Sequence, residues 1–105
     1  MGLFDLFSGP DINAKVAEAK ADADAVIIDV RSRDEYQAGH IEGVVCVPLD
    51  EISKAARVYR GKHIYAYCAS GARSRMAVSQ LKSLGVEQAE SIGGIGAWRG
   101  AIVRG

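Results

Sequence analysis

Four short apolar runs, each followed by a segment of different period, decide what this chain can fold into. "AVIIDV" (25–30), "VVCVP" (44–48) and "HIYAYC" (63–68) are nearly continuous apolar stretches, and "AESIG" (89–93) is a fourth, more mixed one. Continuous apolar runs of this length mark strands buried on both faces, which is the habit of parallel sheets. Pro48 cannot donate to a ladder and stops the second run. Between the runs lie segments with helical spacing. In residues 11–23, Ile12, Val16 and Ala19 share a face and Asp11 stands at the cap position. "DEYQAG" (34–39) is one helical turn ended by Gly39, and "LDEISKAAR" (49–57) predicts a helix capped by Asp50. "RSRMAVSQLKSLG" (73–85) is the clearest helix, with Ala77, Leu81 and Leu84 on one face and Gly85 at its end. "GIGAWRGAIV" (94–103) is expected to close the domain as a short helix. Strands alternating with helices predict an α/β domain with a mainly parallel sheet of 4–5 strands and helices on both faces.

The chain has 105 residues, which suits one domain with its own core. Thirteen acidic and thirteen basic residues balance, so a nucleic acid or an anionic membrane is not the expected partner. Two cysteines, Cys46 and Cys68, cannot build a disulfide framework or a zinc site by themselves, and a reducing, cytoplasmic setting is expected. Residues 1–10, "MGLFDLFSGP", lack a basic start and a small-residue cleavage site, so no signal peptide is expected. They are read as a lead-in, either packed on the domain or mobile, ahead of a domain spanning 11–105.

In parallel α/β sheets the functional crevice lies beyond the C-terminal ends of the strands. Three features fall there: "DVR" (29–31), "CASGAR" (68–73) and "GGIGAW" (93–98). The middle one carries chemistry. A strand that feeds directly into a helix leaves unpaired N–H groups in the turn. Ala69, Ser70, Gly71 and Ala72 are small enough for that turn to curl into an anion cradle, and Gly71 supplies the left-handed conformation. Cys68 is expected at its rim, where N–H groups, the helix N-terminus and Arg73 favour thiolate over thiol. Such a thiolate is a nucleophile ready for an anionic substrate. The bland alternative is a cysteine acting as a small core hydrophobe. A Gly and a Ser in the loop, followed by Arg73 and Arg75, weigh against it.

Three stretches, in this order and spacing, carry a resemblance: "VIIDVRSRDEYQAGHIEGVVCVPL" (26–49), "IYAYCASGARS" (64–74) and "QLKSLGVEQAESIGGIGAW" (80–98). Together they resemble a single-domain rhodanese, a sulfurtransferase, over about residues 12–100. The resemblance implies a three-layer rhodanese-like fold whose five-stranded parallel sheet is represented here by four legible strands. It implies that Cys68 takes a sulfane sulfur as a persulfide, from thiosulfate or a low-molecular-weight persulfide. A thiol, cyanide or a protein sulfur partner then accepts it. Ala69, Ser70, Gly71, Ala72, Arg73 and Ser74 would form the cradle, with Arg73 bracing the loop and complementing the anion. No metal or cofactor is implied, and a monomer is expected. Four residues separate Cys68 from Arg73, against five in the related dual-specificity phosphatases and arsenate reductases, which argues for sulfur over phosphate or arsenate. A module that binds an anion or protein partner without turnover is the non-enzymatic alternative.

The chain departs from the family pattern at Glu42 and Val44, which fall at turn and strand positions. Uncharged Ala69, Ser70 and Ala72 stand where several larger thiosulfate enzymes carry basic residues, which leaves the donor open. Asp29 and Arg31 are read as a strand-end ion pair with an indirect role, Glu35 as a partner of Arg31 or Arg73, and His40 as a structural hydrogen bond. His63 is expected to be exposed. Cys46 is expected to be buried among apolar neighbours and not to resolve a Cys68 persulfide.

Overall fold

A computed structural model describes residues 9–105, and the lead-in reading for 1–10 falls almost wholly outside the described residues. Helix α1 (Ile12–Lys20) starts at Asp11, whose side chain accepts from the Asn13 N–H at 3.0 Å. It buries Ile12, Val16 and Ala19, the predicted stripe. Strand β1 is Ala25–Asp29. Helix α2 (Arg33–Ala38) opens with a reciprocal cap: Ser32 Oγ accepts from Glu35 N–H, and the Glu35 carboxylate accepts from Ser32 N–H. Strands β2 (His40–Ile41) and β3 (Val45–Cys46) follow, then helix α3 (Ile52–Val58) after a 3₁₀ turn at Leu49–Glu51. Strand β4 (His63–Cys68) leads into helix α4 (Ala72–Ser83), and strand β5 is Ala89–Gly94. A 3₁₀ turn at Ile95–Ala97 precedes strand β6 (Ile102–Val103).

The central sheet has four parallel strands in the order β3-β1-β4-β5. Successive side chains leave a strand on opposite faces, so each strand feeds two cores. On one face Ile28, Val30, Ile64, Ala66 and Cys68 pack with α3 and with Ala77 and Leu81 of α4. On the other, Ile27, Tyr65, Tyr67 and Ile92 pack with α1 and Ile41. Burial of each large aliphatic here contributes about 1.5–3 kcal/mol. The α/β three-layer architecture read from the sequence is the one observed, with four strands in the parallel sheet.

Three elements differ from expectation. The second strand is two residues long, at the sheet edge, with Val45 38% exposed and Cys46 half-buried. Its apolar character comes from Val44 and Val47, which turn into opposite cores. Backbone pairing with the β1 segment continues irregularly through Val47 N–H to Asp29 O and Leu49 N–H to Val30 O. Asp50 caps nothing: Pro48 sets the entry, and the chain passes through a 3₁₀ turn before α3 starts at Ile52. The predicted closing helix is instead a 3₁₀ turn and a strand, since Trp98 turns extended and β6 pairs antiparallel with β2. No helix among the described residues is long and apolar enough to cross a membrane.

Candidate active site

The ends of β1, β4 and β5 meet at one edge of the sheet, where Asp29 pairs with Tyr67 and Cys68 with Gly94. Cys68 is the last residue of β4 and α4 begins at Ala72, so three residues make the whole turn. Gly71 occupies the N-cap at φ 112°, a left-handed conformation that side-chain-bearing residues rarely adopt. This conformation turns the Gly71 N–H onto Cys68 Sγ at 3.0 Å. The Cys68 thiol points to Ser74 Oγ at 3.6 Å. Burial by itself would raise the thiol's pKa. The N–H and hydroxyl of Ser74 and the N–H groups of Gly71 and Ser70 outweigh it, and the pKa lies below the ordinary cysteine value.

The sulfur does not sit at the rim. Cys68 is 1% exposed and lies at the floor of the cradle, because the side chain follows the inward face of β4 before the loop curls over it. The roof is held from β5. A Cβ added at Gly94 would lie 2.2 Å from Ala69 O and 2.6 Å from Ser70 Cα, so only glycine admits the loop this close. Gly96 N–H donates to the same carbonyl at 3.4 Å. Arg75 Nη1 lies 3.1 Å from where a Cβ on Gly71 would stand, and Arg75 has no ion-pair partner among the described residues.

Arg73 braces the loop but does not turn into the cradle. Its two terminal nitrogens grip Glu35 in a two-pronged pair at 2.7 and 3.0 Å. Glu35 therefore caps α2 and anchors the end of the loop at once, and Arg31 is not its partner. The Arg73 guanidinium holds Glu35 down to about 2, with the Ser32 N–H adding to the effect. A carboxylate depressed from an ordinary value near 4.5 stabilises the fold fully above that value, and loses the effect as pH falls toward 2. Melting curves of Glu35→Gln and wild type should thus differ most above pH 4.5 and converge on acidification. Glu51, paired with Arg33 and Lys54, keeps its own acid sensitivity in both proteins. A gap that stays constant down to pH 2.5 would contradict the assignment.

Asp29 and Arg31 form the expected strand-end pair, both buried. Arg31 Nε and Nη2 reach the carboxylate at 3.0 and 2.7 Å, and the Arg31 N–H adds a third bond at 3.0 Å. Nη2 also donates to Gly39 O at 2.7 Å, fixing the segment after α2. His40 is structural as read: Nδ1 lies 2.8 Å from Tyr36 O and the ring stacks on Tyr36. His63 is half-buried rather than exposed, with Nε2 2.7 Å from Glu90.

Cys46 is half-buried rather than buried, and its thiol is pushed up, first by burial and then by Asp29. It is in register with Asp29, and Asp29 with Tyr67, so it shares their face of the sheet. Cys68 points to the opposite face, two strands away. That arrangement does not allow a Cys46–Cys68 disulfide without refolding.

Sequence reasoning assigned no part to Ser91 or Gly94. Ser91 Oγ lies 2.7 Å from Ser74 Oγ. The strand around Ser91 also carries Glu90, so the local sequence offers no distinct signal for it. A depression of about 780 Å³ lies beside the site, between Ser32, Leu49, Ile52, Arg73 and Gln80, but it stops at Arg73 and does not reach Cys68.

A buried cysteine whose sulfur accepts the Gly71 N–H thus lies at the C-terminal edge of a parallel sheet. Residues 13–101 match the family model of the rhodanese-like domain, and the chain belongs to that family. A Bacillus subtilis protein provisionally named a sulfur carrier, YrkF, is 39% identical over 82 residues, covering 75% of this chain and 44% of that protein. The structure of a rhodanese with anions from E. coli superposes with a TM-score of 0.69 at 30% identity, covering 77% of this chain and 99% of that one. A human single-domain sulfurtransferase superposes at 0.68 with 27% identity, covering 81% and 89%. The chain also matches tRNA uridine(34) hydroxylases, such as that of Cronobacter sakazakii at 34% identity over 76% of this chain. It spans less than half the length of these curated relatives, 44% of the first and 26% of the hydroxylase.

Proposed function

We propose that this domain moves a sulfane sulfur from a small donor to a thiol through a persulfide on Cys68. The observation that carries the reading is the aim of the loop: the Gly71 N–H donates at 3.0 Å to Sγ, where negative charge resides before and after each transfer, and the Ser74 hydroxyl lies 3.6 Å from it. With thiosulfate, the Cys68 thiolate attacks the outer sulfur. The new S–S bond forms as the old one breaks, and its electron pair leaves with sulfite. An acceptor thiolate then attacks the terminal sulfur, and Cys68 returns as thiolate. Atoms and electrons balance in each half, and no redox partner is required. Arg75, over Gly71 and with no ion-pair partner among the described residues, is a cation placed beside the loop for an anionic donor. The family membership and the sulfurtransferase and sulfur-carrier relatives support sulfur as the cargo. A low-molecular-weight persulfide is as suitable a donor as thiosulfate, since Ala69, Ser70 and Ala72 place no charge in the loop. Cyanide can replace the thiol as acceptor on the same chemistry.

Initial rates with donor and acceptor both varied should give parallel double-reciprocal lines, the signature of a covalent intermediate released between two half-reactions. Binding of thiosulfate without turnover, with either acceptor, would replace this reading by that of a binding module.

A further inference from the structure

We propose that Ser91 is a positioning residue for Cys68, acting through the hydroxyl of Ser74 as a two-step hydrogen-bond relay. Three acceptors and donors surround Ser74 Oγ. It donates to Gly71 O at 3.0 Å, meets Ser91 Oγ at 2.7 Å and lies 3.6 Å from Cys68 Sγ. Ser74 is fully buried, so its single proton has no water to choose. With the thiol protonated, Cys68 S–H and Ser91 O–H both donate to Ser74 Oγ, and the Ser74 proton goes to Gly71 O. When Cys68 loses its proton, the sulfur becomes an acceptor and the Ser74 hydroxyl rotates onto it. Gly71 O is not orphaned by this rotation, because it also accepts the Arg75 N–H at 3.1 Å. Ser91 continues to donate to Ser74 Oγ, and a hydroxyl that is itself accepting a hydrogen bond is a stronger donor.

The relay links β5 to Cys68 through Ser74 of α4. No group on Ser91 touches the sulfur. Because Ser91 donates to Ser74 Oγ in both states, its preference for the thiolate is the cooperative part of one hydrogen bond, about 10–30% of it, which corresponds to at most about a twofold change in thiolate fraction.

The inference rests on the reading that Cys68 works as a thiolate, and its test uses no sulfur donor, so failure of sulfur transfer and failure of the relay are distinguishable. The Cys68 thiolate is titrated by its ultraviolet absorbance in Cys46→Ser protein, and iodoacetamide alkylation is followed at a pH below the titration midpoint. Ser91→Ala should move the midpoint up and slow alkylation by up to about twofold. Ser91→Thr, which keeps the hydroxyl, should restore both. In a Ser74→Ala background, Ser91→Ala should shift neither, because the relay is already cut. An unchanged midpoint in Ser91→Ala, or an equal shift with and without Ser74, would overturn the proposal. A general loosening of the fold predicts that second pattern, so the double variant separates the relay from a structural effect.

Discussion

Asp29→Ala should destabilise the domain by about 3–5 kcal/mol, the cost of stranding one partner of a buried ion pair. Asp29 is wholly buried, and its carboxylate takes three hydrogen bonds from Arg31. Removing it leaves a guanidinium 7% exposed, with Gly39 O and the Tyr67 ring as its remaining partners. Small domains hold roughly 5–15 kcal/mol in total, so the loss takes about a fifth of the stability or more. Thermal melting should fall by roughly 12 °C or more for a domain near this size. Replacing both partners, Asp29→Leu with Arg31→Leu, should cost less than Asp29→Ala alone, because no buried charge is left behind. A single-variant loss below about 1 kcal/mol in urea unfolding would mean that the pair is screened by water and does not hold the strand end.

Gly94→Ala should cost activity more than stability. The methyl would enter the backbone of the loop, at 2.2 Å from Ala69 O and 2.6 Å from Ser70 Cα. Neither atom belongs to a flexible side chain, so the loop itself must retreat by on the order of 1 Å. Overpacking of this kind costs about 1–3 kcal/mol. Misplacing a reacting group by that distance costs on the order of 10²-fold in rate. The displaced N–H groups would also release the Cys68 thiol toward its ordinary pKa. The check is the rate of sulfur transfer beside the melting temperature. Transfer within twofold of wild type would show that the closeness of β5 to the loop has no part in catalysis.

The sheet was readable because its inner strands, β1 and β4, are continuous apolar runs, and α4 because Ala77 and Leu81 repeat at helical spacing. The β2–β6 pair was not, because two-residue strands have no period to detect and their partners lie far apart in the chain. The Cys68 loop stood out from local chemistry alone: a cysteine, small residues, a glycine and an arginine between a strand and a helix. What local chemistry could not supply was the third dimension. The depth of the sulfur depends on which face of β4 it leaves. The partner of Arg73 depends on where α2 lands, and Gly94 and Ser91 matter only because β5 runs beside the loop. Of the two parts read for Arg73, bracing the loop and complementing the anion, its grip on Glu35 fits the first, and Arg75, exposed and without an ion-pair partner among the described residues, is a cation lying over Gly71.

The central claim is that Cys68 carries the sulfur. Its most direct test is the intact mass of the reduced protein, without reductant, after incubation with thiosulfate and separately with glutathione persulfide. The account predicts a gain of one sulfur atom that is kept in Cys46→Ser, is absent in Cys68→Ser and disappears when an acceptor thiol is added. No gain from either donor, or a gain that survives Cys68→Ser, would contradict it.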